Sequence, residues 1–223
     1  MSTYIIWHNT TRMHVWTVLS PKYQAMMNIK TNFGLYEAGM AQMDDDIGEA
    51  DNTIVVFTTD NGAEVFTWPD GGMTPFRATK GTVYEGGFRV PAIIRWPGKI
   101  KPGTVENGLF SGLDWFPTLM AAAGNPNITE QLLKGVKLGD REYKNHLDGY
   151  NQMDLLLGQG PSKRHELFYF GAPHLGAVRI DDFKFRFYDQ PTGWPGPKVT
   201  TDMPTMVNLR QDPFERTPSA AKV

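Results

Sequence analysis

The chain has 223 residues, 40% apolar and 12% aromatic, and a net charge of −2. This is enough apolar content for the core of one domain, or one domain with a small subdomain. The near-zero charge gives no electrostatic case for binding nucleic acid or an anionic membrane, and no apolar run approaches the eighteen or so residues of a membrane span. There is no cysteine, which excludes disulfides, thiolate metal ligands and a cysteine nucleophile.

Met1-Ser2-Thr3 lacks a basic n-region, and Tyr4 to Trp7 is too short for a signal core. No targeting signal is therefore expected in this chain, and one on a longer parent stays open. Tyr4-Ile5-Ile6-Trp7 predicts a strand, followed by a polar loop from His8 to Trp16. Read from the residues alone, His8 and His14 are loop histidines bonded to backbone. Gly34 to Ala50 predicts a helix, with Leu35, Met40, Met43 and Ile47 spaced to fall on one apolar face. Asp44-Asp45-Asp46 reads as a solvated face, because consecutive helical residues point apart and do not converge on one ion. Gly48 to Asn52 then leads straight into the next strand, near the lower limit for a parallel crossover.

Ile54-Val55-Val56-Phe57 predicts a strand buried on both faces, as in a parallel sheet. It ends in Thr58-Thr59 and then Asp60-Asn61-Gly62. In open α/β sheets, sites form at the carboxyl ends of strands. The Asp60 carboxylate and Asn61 amide offer hard oxygen ligands to a divalent cation there. The competing reading is a hairpin turn at Asn61-Gly62. Ala63 to Thr79 is a loop long enough to serve a function. Its Trp68 and Phe76 either line a substrate mouth or pin the loop. Lys80, between Thr79 and Gly81, offers a point charge to an anion; the competing reading is a solvated surface lysine. Arg89, after Glu85-Gly86-Gly87, is expected to pair structurally with a carboxylate near the site. Pro91 to Trp96 predicts another core strand, closed by the Trp96-Pro97-Gly98 turn.

Ser111 to Gly124 has helical spacing and ends in glycine. Asn125 to Gly160 is polar and broken by glycines. Glu166 to Phe170, Ala177 to Ile180 and Phe183 to Tyr188 predict strands, with a hairpin turn at Asp181-Asp182. The last strand alternates aromatic with basic residues, so one of its faces is expected to be buried. Asn9-Thr10-Thr11 and Asn127-Ile128-Thr129 fit the glycosylation sequon, which is common by chance. No internal repeat is present.

The Thr58 to Gly62 stretch, followed by Phe76 to Gly98 (FRATKGTVYEGGFRVPAIIRWPG), resembles the second half of a type I sulfatase of the arylsulfatase kind, in the alkaline-phosphatase-like superfamily. The likeness is extended by the D-x-x-P-T-L-x-x-x-A-G run from Asp114, by Leu147-Asp148-Gly149, and by the closing L-x-x-D-P-x-E turn from Leu209 to Glu215. It covers Ile5 to Pro213, nearly the whole chain. The resemblance implies an α/β fold: a partial alkaline-phosphatase-like sheet with helices, plus a small C-terminal antiparallel β subdomain. Residues 1–125 would be the C-terminal part of the sulfatase core domain. Residues 126–223 would be a linker and the small C-terminal α+β subdomain.

It also implies roles. Asp60 and Asn61 would bind Ca2+ (or Mg2+), and Lys80 would hold the sulfate. The first strand-to-loop step would deliver a histidine to the sulfate as proton donor; His14 holds that place, with His8 as rival. The complete enzyme would be a metal-dependent sulfuric ester hydrolase acting on a small sulfate ester or a sulfated glycan, in a periplasmic or secreted setting. The family's nucleophile is a formylglycine made from a Cys- or Ser-x-Pro-x-Arg motif. Neither Ser20-Pro21-Lys22 nor Ser162-Lys163-Arg164 fits that motif, and the family's N-terminal Asp-Asp metal pair has no counterpart. The chain alone is therefore expected to be inactive, to bind metal weakly, and to self-associate through exposed sheet surface. The alternatives are a phosphoryl or phosphonate hydrolase of the same superfamily, or a catalytically inactive binding or assembly module.

Overall fold

Residues 19–30, 34–45, 53–65 and 72–217 are described in a computed structural model, and the chain divides into two compact units, Met1–Pro97 and Gly98–Val223. In the first unit, Ser20-Pro21 opens the single-turn helix α1 (Pro21–Gln24), with proline in the first turn where its missing N–H costs nothing. α2 (Leu35–Asp45) begins after Gly34, whose N–H donates to Glu37 Oε2 at 2.8 Å. α2 buries Ala38, Gly39 and Gln42, and the Gln42 amide oxygen accepts from Ser20 N, joining the two helices. The rest of the helix predicted to Ala50 lies outside the described residues.

β1 (Val55–Thr58) pairs antiparallel with β2 (Ala92–Arg95), from Val55↔Arg95 to Thr58↔Ala92. This corrects the sequence expectation for the β-branched run. Among the described residues its partner runs antiparallel, and Val55, Val56 and Phe57 are half-buried rather than enclosed on both faces. A continuous apolar run signals a strand, but the direction of its neighbour depends on the connection. Here the connection is the 59–91 segment, whose described residues hold one helical turn, α3 (Glu85–Phe88). The hairpin reading would need a second strand from Ala63 on; Ala63 to Val65 form none, and Phe66 to Trp68 lie outside the described residues. Among the described residues of this unit, the most enclosed stretch runs from Thr82 to Gly87.

The second unit opens with Ser111 in a capping box. Its Oγ accepts from Leu113 N, while Asp114 Oδ2 accepts from Ser111 N. A 3-10 turn over Gly112–Asp114 runs into α4 (Trp115–Ala122), and the chain leaves it at Gly124 with φ +96°. This matches the helix predicted from Ser111 to Gly124. The glycine-broken stretch after it holds more structure than its composition suggested. α5 (Ile128–Lys134) buries Ile128 and Leu132, β3 (Val136–Leu138) pairs with β4 (Arg141–Tyr143), and α6 (Met153–Leu156) follows.

A four-stranded antiparallel meander closes the unit: β5 (Glu166–Gly171), β6 (His174–Ile180), β7 (Phe183–Asp189) and β8 (Val199–Asn208), in that order. β8 was not predicted, because its polar sequence carries Pro204. Proline removes a ladder donor and is tolerated at an edge, which is where β8 lies. β7 does have one buried face, and it is the basic one: Lys184, Arg186 and Tyr188 point inward. Phe168, Phe170, Ile180, Phe183 and Met206 are exposed on the other side of the sheet.

The inversion has a cause in the closing turn. Glu215, held at φ +49°, brings a carboxylate to 3.3 Å from Lys184 Nζ and 3.1 Å from Arg186 Nη1. Arg186 also pairs with Asp189, and the Lys184 ammonium lies 4.1 Å from the centre of the Tyr169 ring. Buried charges persist only when paired in this way. The architecture is thus mixed α/β with a C-terminal antiparallel sheet. Among the described residues no helix is long and apolar enough to cross a membrane.

Candidate active site

β1 ends at Thr58, whose hydroxyl donates to Pro91 O at 3.0 Å, the residue just before β2. The chain then bends through Asp60, Asn61 and Gly62. The Thr59 hydroxyl donates to Asn61 O, and Asn61 Nδ2 donates to Gly62 O, both at 3.0 Å. The Asn61 side-chain oxygen is left as an acceptor. Asp60 is exposed, and its carboxylate takes no hydrogen bond or ion pair among the described residues.

This loop is locked onto the Lys80 loop by backbone. Gly62 N donates to Gly87 O at 2.9 Å, and Lys80 N donates to Ala63 O at 3.0 Å. Three glycines make the approach possible. A Cβ on Gly62 would run into Gly86 O, one on Gly86 into the carbonyls of Arg77 and Ala78, and one on Gly87 into Thr82 O. None of the three has a positive φ, so glycine is required here for space rather than conformation. Around Lys80 the chain turns sharply, with Ala78 at φ +60° and Gly81 at φ +81°.

Lys80 is not a solvated surface lysine. Its Nζ lies 3.3 Å from Glu64 Oε2, with the two side chains 24% and 14% exposed. Sequence reasoning missed Glu64. It follows the Asp60-Asn61-Gly62 turn directly, but its pairing with Lys80 depends on the backbone tie at Ala63. The structure thus brings Asp60, Asn61 and Lys80 onto adjoining, hydrogen-bonded loops. His14, its rival His8, and Trp68 lie outside the described residues. Phe76 pins its loop, with the Arg89 guanidinium stacked 4.4 Å from its ring centre. This corrects the expectation for Arg89, which is exposed and takes no carboxylate among the described residues, because the aromatic face supplies its contact instead.

Asp60 and Asn61 suit a hard cation such as Ca2+ or Mg2+, since both offer oxygen donors at a strand end and no neighbour among the described residues consumes the Asp60 charge. They supply only part of a coordination shell. Among the described residues no group of three or more His, Cys, Asp or Glu is placed to hold a metal.

A second charged cluster lies in the other unit. Arg164 donates from Nε to Asp114 Oδ2 at 2.9 Å and from Nη2 to Oδ1 at 2.7 Å. Nη2 also donates to Asp148 O and Nη1 to Glu166 O. Tyr150 N donates to Asp114 Oδ1, and a Cβ on Gly149 would strike Leu113 O. The Leu147-Asp148-Gly149 stretch therefore packs directly on the start of α4. Burial pulls the Arg164 guanidinium toward deprotonation, but the Asp114 hydrogen bond and charge win, and its pKa is raised. Every charge here is consumed internally, so this cluster is structural.

The chain matches the family model described as Sulfatase over residues 40–125. It is 38% identical over 189 residues to arylsulfatase A of Bos taurus, covering 76% of this chain and 34% of that protein. It is 31% identical over 217 residues to N-acetylgalactosamine-6-sulfatase of Homo sapiens, covering 83% of this chain and 39% of that one. Among solved structures, the PsFucS1 sulfatase from Pseudoalteromonas sp. superposes with a TM-score of 0.65 at 29% identity, over 89% of this chain and 40% of that one. A structure from work on glycosaminoglycan metabolism by Bacteroides thetaiotaomicron gives 0.67 at 28% identity, over 96% and 45%. The chain spans less than half the length of these proteins, and on the paired loops and the breadth of the match it belongs to the sulfatase family.

Proposed function

We propose that this chain supplies the lysine and part of the cation site of a sulfuric ester hydrolase. Lys80 meets the sulfate, Asp60 and Asn61 are two ligands of Ca2+ or Mg2+, and His14 delivers the proton for the departing oxygen. The observation that carries this reading is the double backbone tie, Gly62 N to Gly87 O and Lys80 N to Ala63 O, which fixes the acidic loop beside the lysine loop. The cation, when bound, compensates the negative charge of the sulfate. Lys80 adds a second positive charge from a half-buried position, where a charge-assisted contact is stronger than in bulk water.

In the same reading β1 and β2 belong to an alkaline-phosphatase-like sheet. Residues 1–125 then form part of the sulfatase core, and 126–223 a linker with the antiparallel subdomain. The substrate class is a small sulfate ester or a sulfated glycan, supported by relatives whose names specify a sulfated sugar. The 223-residue sequence contains no Cys- or Ser-x-Pro-x-Arg motif, so no formylglycine step is ascribed to it, and binding rather than turnover is the expected property. Calorimetry with 4-nitrophenyl sulfate and with Ca2+ tests this. Lys80→Ala should weaken the ester roughly ten- to a hundredfold, and Asp60→Ala should weaken Ca2+, each with an unchanged circular dichroism spectrum. Ester affinity unaffected by Lys80→Ala would overturn the reading.

A further inference from the structure

The lysine proposed to meet the sulfate is already paired with a carboxylate, and that pairing bears on which anion the site accepts. We infer that Glu64 is a specificity-determining residue: it tunes the Lys80 end of the site for monoanionic sulfate esters and against dianionic phosphate esters. The inference rests on the reading of Lys80 as the anion contact.

Glu64 does not reach Lys80 as a loose surface pair. The residue before it, Ala63, accepts the Lys80 backbone N–H at 3.0 Å, so one tie sets the positions of both side chains. Gly62, one residue earlier, is fastened to Gly87 and has no room for a side chain against Gly86 O. The carboxylate therefore sits on a rigid base, at 3.3 Å from the ammonium and less exposed than it. An anion that meets Lys80 Nζ must do so beside a fixed negative charge.

The two ester classes differ in how strongly they feel that charge. A sulfate monoester carries one negative charge across the working pH range. A phosphate monoester has a second ionisation near pH 6 and carries close to two above it. Repulsion from Glu64 therefore counts about once for the sulfate and twice for the phosphate. For charges roughly 5 Å apart in a half-exposed site, the extra unit of charge is worth on the order of tenfold in affinity. A repulsive element of this kind selects by penalising the wrong ligand more than the right one. Asp60 adds a further negative charge on the same loop, which the proposed cation would neutralise.

The test is calorimetric competition between phenyl sulfate and phenyl phosphate on the full chain, with circular dichroism as a check on folding. Glu64→Gln keeps the side-chain shape and removes the charge. At about pH 8 it should raise phosphate-ester affinity relative to sulfate-ester affinity by roughly tenfold, whereas Glu64→Asp, which keeps the charge, should hold the wild-type ratio. Lowering the pH to about 5, where the phosphate ester is mostly a monoanion, should remove most of the effect that Glu64→Gln has on this ratio. An unchanged ratio in Glu64→Gln at about pH 8, or an effect of that substitution as large at about pH 5 as at about pH 8, overturns the inference. If Lys80→Ala meanwhile weakens both esters, the reading of Lys80 survives that failure. If Lys80→Ala alters neither ester, or the wild type binds neither, both fall together.

Discussion

Around Lys80 the charged groups are half exposed and their positions are set by backbone; around Arg164 they are buried and set one another. In the first region, glycines at 62, 86 and 87 let two loops close on each other, and Lys80, Glu64 and Asp60 ride on that frame. In the second, Asp114 and Arg164 are 0% and 3% exposed, and the hydrogen-bonding groups of Ser111, Tyr150, Gln152 and Ser162 are drawn in around them. Both regions contain motifs that resemble sulfatases, but motif resemblance does not say which residues do chemistry. Saturation does: a charge whose bonding capacity is spent internally holds the fold, and one left open at a strand end is available to a ligand.

The contrast predicts different responses to substitution. The largest belongs to the saturated cluster. Asp114→Ala takes away the carboxylate that Arg164 holds at 2.7 Å and leaves it only that of Glu166, 3.7 Å away, at a cost of roughly 3 kcal/mol, and should appear as a large fall in the denaturant midpoint. A loss within the range of ordinary surface substitutions would show that water reaches Arg164 and that the two regions differ less than their exposure suggests.

Gly62→Ala is the matching disruption of the open region. A methyl group there meets Gly86 O, and forcing the loops apart should cost roughly 1–3 kcal/mol. The same variant should lose affinity for 4-nitrophenyl sulfate, whereas a substitution in the Arg164 network that leaves the chain folded should not. Equal loss of ester binding from either region would erase the distinction between them.

The smallest effect is expected at Asp212, which is partly exposed yet saturated by backbone. It accepts from the N–H of Arg216 at 2.9 Å and of Thr217 at 2.7 Å, and from the Thr217 hydroxyl at 2.6 Å. Burial tends to raise its pKa, but these hydrogen bonds outweigh that and hold it below the usual 3.8. Its stabilisation is therefore fully present above that usual value and lost as the pH falls through the lower folded one. Asp212→Asn should slightly flatten the fall of stability between about pH 5 and 2; an unchanged pH profile would show that the closing turn contributes nothing through this carboxylate.

Glu64 and Lys80 show how unevenly the site could be read in advance. Lys80 stood out because it sits between Thr79 and Gly81 ahead of Glu85-Gly86-Gly87. Glu64 did not, because its partner lies across a loop closure that no local pattern encodes. The Arg89 contact with Phe76 was hidden for the same reason. Asp114 was visible as the first residue of a helix run, but Arg164, which makes it immobile, was not.

By itself the sequence determined the local elements: the apolar run of β1, the turn at Asp60-Asn61-Gly62, the helix from Ser111 to Gly124, and the alternation of β5 to β7. Each is written in neighbours a few residues apart, through side-chain period, capping groups and glycine. Only the tertiary structure decided the direction of β1 against β2, the burial of the basic face of β7, the edge strand β8 around Pro204, and the ion pair at Lys80. Those features depend on which distant segment closes onto which: Glu215 onto Lys184, Arg164 onto Asp114, Ala63 onto Lys80. Closing such loops costs chain entropy that only the assembled contacts repay, so the choice of partner belongs to the fold as a whole.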